Sequence, residues 1–263
     1  MNEPVLKIET EGGITVLTMN RPDKLNALSR DLRRALVDAF RALADDDGVG
    51  VVILTGAGRA FSAGLDLKEL GGEGPAGASG HAGGTVADGA DIVSAMAAMP
   101  QPIIGAVNGF AVTGGFEIAL ACDFLVASTE ARFADTHARV GILPGWGLSQ
   151  KLSRQIGIGR AKELSLTGNY LEAERAEAWG LVNRVVEPDA LLEECRRLAA
   201  DIMSCEPSVM RAYKKLIDDG YAATFADGLA LETDRSSEQI RSVSPDAIAE
   251  RRLRVQERGR DQG

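Results

Sequence analysis

Polar and apolar residues alternate through "VLKIETEGGITVLTMN" (residues 5–20), on both sides of the pair Gly12-Gly13. Period-two alternation turns one face of each run to a core, and paired glycines accept the positive φ of a tight turn. The chain is therefore predicted to open with a β-hairpin. After Ser29 the rhythm changes. In "DLRRALVDAFRALADDD" the apolar positions recur every three to four residues, which predicts an amphipathic helix with Ser29 as its N-cap. "VGVVILTG" (49–56) is a continuous β-branched run, the pattern of a strand buried on both faces.

The next segment, "AGRAFSAGLDLKEL" (57–70), reads as a glycine-containing turn leading towards a helix. Residues 71–84, "GGEGPAGASGHAGG", are of low complexity, contain His81 and cannot form a packed core, so a loop is expected there. A helix over roughly 86–98, a strand in "PIIGAVN", a helix from "TGGFEIALACD" and a strand in "FLVAS" follow. Strand–helix alternation of this kind implies βα units with parallel pairing, an α/β class. From about residue 147 helices dominate. "EAERAEAWG" ends at Gly180, "LVNRVVEP" is the last expected strand, and four helical patterns fill the remainder. The expected organisation is a core over 1–195 and a helical region over 196–263, with no repeat of fixed period.

Composition narrows the function classes. A chain of 263 residues suffices for one large domain or a domain with an appendage, and 45% hydrophobic with 25% charged residues is ordinary for a globular protein. No apolar run approaches the ~20 residues of a membrane span. The start, "MNEPVLKIETEGG", has neither the basic nor the apolar region of an export signal. Three cysteines without CxxC spacing fit reduced thiols in a cytoplasm and argue against a disulfide framework or a zinc site, so no metal is expected. A net charge of −9 disfavours nucleic acid as a partner but leaves room for a phosphorylated small ligand.

Two glycine-bearing turns follow apolar strands: "FSAGLD" (61–66) and "NGFAVTGGFE" (108–117). Neither has the GK[ST] of a phosphate loop nor GxGxxG. Where a strand hands over to a helix, backbone N–H groups lack intrahelical partners, and glycine lets a ligand approach them. Side by side, two such turns could form an oxyanion hole; taken singly, each reads first as a tight βα connection. Glu117 follows Gly114-Gly115 amid apolar neighbours. It is either an acid/base with a pKa raised by burial or a complement to the helix dipole.

"NRPDKLNALS", "AFSAGLDLKEL", "PIIGAVNGFAVTGGFEIALACDFLVAS", "RFADTHARVGILPG" and "LTGNYLEAERAEAWGLVNRVV" stand in the order seen in the crotonase family, the enoyl-CoA hydratases and isomerases. The chain resembles that family from about residue 5 to about 260. The resemblance implies a crotonase-like spiral of ββα units with a C-terminal helical trimerisation region, self-association to a trimer or hexamer, and an acyl-CoA thioester as ligand. No cofactor is implied, since CoA is part of the substrate. It further implies backbone N–H groups of Leu65 and Gly114 as the oxyanion hole, with CoA-binding positions at Lys24, Ala27, Ala63 and Asp66. Lys24 is equally readable as a solvated surface lysine.

Hydratases of the family use two glutamates to add water across C2=C3. Glu117 falls on the first. The second stands four residues before the "GxxPG" turn; here that turn is Gly141–Gly145, and the position is held by His137. An imidazole suits proton transfer near neutrality but has a different shape from a carboxylate. Asp135 is a further acid, an imidazole-orienting group or a turn cap. Thr113 stands where the family usually has a third glycine, and Trp146 where small residues are common, as a wall of the acyl pocket or as core. The leading expectation is an enoyl-CoA hydratase with Glu117 and His137 as catalytic pair. The alternatives are an isomerase, decarboxylase or C–C lyase acting on the same enolate, and a CoA-ester-binding protein with little activity.

Overall fold

The structure is a computed structural model and describes residues 3–66, Glu69 and 92–261. The low-complexity stretch 71–84, His81 and the first part of the helix expected over 86–98 lie outside the described residues; residues 92–97 are helical. The hairpin is formed by β1 (Leu6–Glu11) and β2 (Ile14–Met19), antiparallel with Glu11 opposite Ile14. Gly12 and Gly13 between them have φ of +56° and +83°, the left-handed pair that a two-residue hairpin turn needs. The Ser29 side chain accepts the Leu32 N–H at 3.3 Å and starts the helix Arg30–Ala44. That helix buries Leu32, Leu36, Phe40 and Leu43, one stripe at helical spacing.

Two sheets organise the core. The larger has the order β1-β2-β3-β5-β7-β10, where β3 is Val51–Gly56, β5 Ile103–Val107, β7 Phe124–Ser128 and β10 Arg184–Val186. Apart from the β1/β2 hairpin its strands pair in parallel. The smaller has the order β4-β6-β8-β9, with β4 Ala60–Ser62, β6 Phe110–Val112, β8 Arg132–Ala134 and β9 Leu171–Glu172. Each of β3, β5 and β7 thus leads, through a short bend, into a strand of the smaller sheet. The next element after the first two such pairs is a turn towards a helix. This is the ββα spiral that the family resemblance implies. Sequence pattern alone reveals the larger sheet and not the smaller one, because strands of two or three residues are too short to display a period.

Alternation within the larger sheet divides the core. Val52, Leu54, Val107, Leu125 and Ala127 join the cluster that holds Leu32, Leu36 and Phe40, together with Phe61, Ala111 and Phe133 of the smaller sheet. Val51, Ile53, Ile104, Ala106 and Val126 face the other way, onto Leu191, Cys195 and Ala199. Those three residues are four apart on the helix Leu191–Met203, so one helical stripe covers that face. Residue 195, expected to end the core, therefore lies inside a helix that packs on the sheet. The compact units are Met1–Pro207 and Ser208–Gly263.

The second unit, Ser208–Gly263, contains most of the helix Pro207–Ala222 and the helices Phe225–Arg241 and Pro245–Asp261. The first two of these have no buried residue, and Tyr213, Ile217, Tyr221, Phe225 and Leu229 are exposed. All three cysteines are free. No described helix is long and apolar enough to cross a membrane.

Candidate active site

The two glycine-bearing turns meet. After β4 the chain passes through Gly64 at φ +88°, and the Gly64 carbonyl accepts the Leu28 N–H at 2.8 Å. After β6 it passes through Thr113 at φ +53°, ψ −111°, and the helix Gly114–Ala119 begins. A Cβ placed on Gly64 would lie 2.8 Å from the Val112 carbonyl oxygen and 3.0 Å from Gly114 N, and one placed on Gly114 would lie 3.5 Å from Leu65 N. Only glycines allow the backbones to come this close. The Leu65 and Gly114 amides therefore lie within a few ångströms of one another. Among the described residues no protein acceptor meets either N–H. Gly115 is held to glycine by space: its Cβ would stand 2.1 Å from the Ser62 carbonyl oxygen.

Thr113 is a non-glycine residue in backbone space that β-branched side chains avoid, at a cost of roughly 1–3 kcal/mol. Its surroundings compensate. The Thr113 N–H donates to Ala134 O at 2.9 Å, Thr113 Oγ1 accepts the Thr136 N–H at 3.2 Å, and the two hydroxyls are 2.5 Å apart. The turn carrying Gly114 is thereby tied to the segment carrying Asp135 and His137.

On the helix that starts at Gly114 and on the segment after β8, three titratable side chains form a buried row. Glu117 Oε1 accepts the backbone N–H groups of Trp146 at 2.7 Å and Leu148 at 3.4 Å, which fixes the carboxylate. Glu117 Oε2 faces His137 Nε2 at 3.5 Å. On the other side of the ring, Nδ1 lies 2.7 Å from Asp135 Oδ1, which also accepts the His137 backbone N–H at 3.1 Å. The three side chains are between 3% and 7% exposed. Burial works against a charge on His137, but the flanking Asp135 and Glu117 carboxylates outweigh it and raise its pKa to about 9. Burial would raise Asp135; hydrogen bonds from His137 and Ser165 hold it below its ordinary value instead. That direction favours the protonated ring at neutral pH, set between the side chains of Asp135 and Glu117. Among the described residues no group of three or more His, Cys, Asp or Glu is placed to hold a metal ion.

The four expected CoA-binding residues share one strip of chain. Segment 24–28 runs beside 63–66, with Ala63 N donating to Leu25 O at 2.9 Å and a parallel bridge between Leu28 and Leu65. Lys24 is exposed at the end of the short 3-10 helix Pro22–Lys24, while Ala27 and Ala63 are half-buried. Asp66 Oδ2 pairs with Arg21 at 3.1 Å, and the same guanidinium donates to the Ala27 carbonyl. No motif in the sequence singles out Asn26. Its buried side chain donates to Ala57 O at 2.9 Å and Ala60 O at 2.7 Å and accepts the Arg21 N–H at 2.8 Å, pinning the strip to the β3–β4 bend. Its φ of +53° is one that asparagine tolerates better than most residues, and this was the available signal in "DKLNALS". Trp146 is buried, with its ring 3.1 Å from where a Gly114 Cβ would sit, so it walls the turn as well as packing in the core.

The profile described as enoyl-CoA hydratase/isomerase matches residues 9–255 of the chain. A protein of Arabidopsis thaliana named probable enoyl-CoA hydratase 1, peroxisomal, is 45% identical over 90% of this chain and 87% of its own length. The short-chain-enoyl-CoA hydratase of Clostridium acetobutylicum is 38% identical over 88% and 87% respectively. Among solved structures, the enoyl-CoA hydratase of Bacillus anthracis is 32% identical with a TM-score of 0.85, covering 96% of both chains.

Proposed function

Because the chain belongs to the enoyl-CoA hydratase/isomerase family, we propose that it adds water across the C2=C3 bond of a 2-enoyl-CoA, with Glu117 and His137 as the catalytic pair. The thioester oxygen is received by the Leu65 and Gly114 N–H groups. As the oxygen of water bonds to C3, Glu117 takes the water proton and the π electrons move to the thioester oxygen as an enolate. One oxyanion donor of this kind contributes about 3–4 kcal/mol to the barrier reduction. The Nε2–H of the His137 imidazolium then protonates C2 and the carbonyl re-forms. Glu117 returns its proton to Nε2 across the 3.5 Å between them, restoring the starting state. The observation that supports this reading best is a buried carboxylate facing an imidazole at 3.5 Å, the carboxylate standing on the helix that begins at one of two amides without a protein acceptor.

In the same reading the strip bearing Lys24, Ala27 and Ala63 receives the CoA moiety, and Asp66 holds it in shape through Arg21. The reaction needs no redox or metal group, since CoA arrives within the substrate. The exposed apolar residues of the C-terminal helices suit self-association as a trimer or hexamer. The free thiols suit the cytoplasm.

The test mixes the protein with crotonyl-CoA and longer 2-enoyl-CoAs and follows loss of the conjugated absorbance. Glu117→Gln is expected to lower kcat by at least ~10³-fold, and His137→Ala by at least ~10²-fold. A gain of absorbance from a 3-enoyl-CoA without hydration would assign the site to isomerisation. Tight CoA-ester binding without turnover would assign it to binding alone.

A further inference from the structure

Asp135 takes no part in the proton exchange written above, yet it holds His137 by both the backbone N–H and ring Nδ1. We propose that Asp135 is a positioning residue: it fixes His137 as a doubly protonated ring with Nε2–H turned to Glu117, and Ser165 orients Asp135 in turn. The proposal rests on the reading of His137 as the donor to C2.

The argument starts from the number of protons a ring can carry. A neutral imidazole has one N–H. If that proton sits on Nδ1 to meet Asp135 at 2.7 Å, Nε2 turns a lone pair towards Glu117 Oε2 at 3.5 Å, and the contact is repulsive. Protonating Nε2 reverses its sign. The two buried carboxylates then have one cation between them instead of facing each other uncompensated, the arrangement that burial penalises most. Among the described residues the other elements packed here bring no competing charge to the ring. Ser165 on the helix Ile158–Thr167 is neutral and bonds Asp135. On that helix Arg160 lies over the Trp179 ring, Glu163 pairs with Arg175 and Lys162 is exposed. Arg139, two residues from His137, donates to the Thr167 carbonyl. Trp146 and Leu148 present backbone N–H groups to Glu117. Among the described residues, Asp135 and Glu117 are thus the charges the ring faces. Without Asp135 a buried histidine would tend to lose its proton, and the donor to C2 would be lost with it. The aspartate two residues upstream is what lets a histidine serve where hydratases carry a glutamate.

The chain has two histidines, so protein labelled with [13C]histidine gives two Cε1–H signals, and His81→Gln assigns them. The His137 signal of the unaltered protein is expected to titrate at about pH 9. Asp135→Asn should lower that midpoint by about 2 pH units. The high-pH limb of kcat for crotonyl-CoA should move with it, while KM changes by less than about 3-fold and Asp135→Glu restores part of the shift. A His137 midpoint at or below the ordinary histidine value in the unaltered protein overturns the proposal. So does a midpoint that Asp135→Asn leaves in place. The first of these measurements needs no variant, so a misfolded Asp135→Asn protein does not shelter the idea. Hydration with an insensitive His137 titration would refute the positioning role alone. A sensitive titration in a protein that hydrates no enoyl-CoA would refute the hydratase reading alone.

Discussion

The exits of β4 and β6 perform the same task by different means. Each takes the chain from a strand of the smaller sheet through positive φ and presents the next residue's amide N–H. At the first exit a glycine, Gly64, adopts φ +88°; at the second a threonine, Thr113, adopts φ +53°. Glycine adopts that conformation without steric strain but also without any side-chain anchor. Threonine is strained there, and its hydroxyl ties the turn to Thr136, next to His137. The difference shows two ways to place an amide: by conformational freedom under close packing, or by a side-chain anchor strong enough to hold a disfavoured backbone. The second way has an added consequence, because it couples the amide of Gly114 to the segment that carries the imidazole.

Substitutions can separate the two exits. The largest effect is expected where they stack. Gly115→Ala drives a Cβ to within 2.1 Å of Ser62 O and 2.7 Å of Ser62 C, backbone atoms that cannot rotate away. It should cost more than about 4 kcal/mol, read as lost soluble yield or a collapsed urea midpoint. Gly64→Ala comes next. It strains φ and pushes against Val112 O and Gly114 N, so hydration kcat should fall roughly 10²–10³-fold. Activity within a few-fold of the unaltered enzyme would break the view that this exit shapes the amide pair.

A third measurement uses pH. The amide pair does not titrate, so the stability cost of Gly64→Ala should be flat with pH. His137 should behave differently. Its folded pKa is raised from 6.5 to about 9, so the stabilisation is fully present below pH 6.5 and disappears as pH rises through about 9. Asp135, lowered on folding, contributes above its ordinary value of 3.8 and loses that contribution as pH falls through its depressed folded pKa. The gap in unfolding free energy between the unaltered protein and His137→Gln should therefore be on the order of 3 kcal/mol near pH 6 and shrink towards pH 10. A gap that does not change with pH would remove the imidazolium from the site. The smallest effect is expected for Thr113→Gly. Strain relief of ~1–3 kcal/mol is offset by glycine's entropy and by lost hydrogen bonds of ~1 kcal/mol each, leaving stability within about 1 kcal/mol. The freed Gly114 amide should still lower kcat by about 10-fold. An unchanged kcat would show that the threonine anchor is dispensable.

Much of this molecule is legible along the chain, and the reason differs from element to element. The hairpin, the Ser29 cap and the buried β3 are written in local periodicity and turn chemistry, which need no distant partner. The smaller sheet is not, because β4, β6, β8 and β9 are too short for a pattern and are held by pairing with one another. Glu117, His137, Leu65 and Gly114 are proposed as site residues from ordered motifs. The role of Asn26 is hidden, since its hydrogen bonds reach 31 and 34 residues along the chain.

By itself, then, the sequence determined the α/β class, the family, the acyl-CoA ligand class expected from it and the expectation that a histidine stands where the family's hydratases carry a glutamate. Only the tertiary structure decided what that histidine is. Its charge depends on two carboxylates, one two residues away and one twenty residues away, brought to opposite edges of a buried ring. A pKa is set by distance and burial, and neither is a property of the chain until it folds.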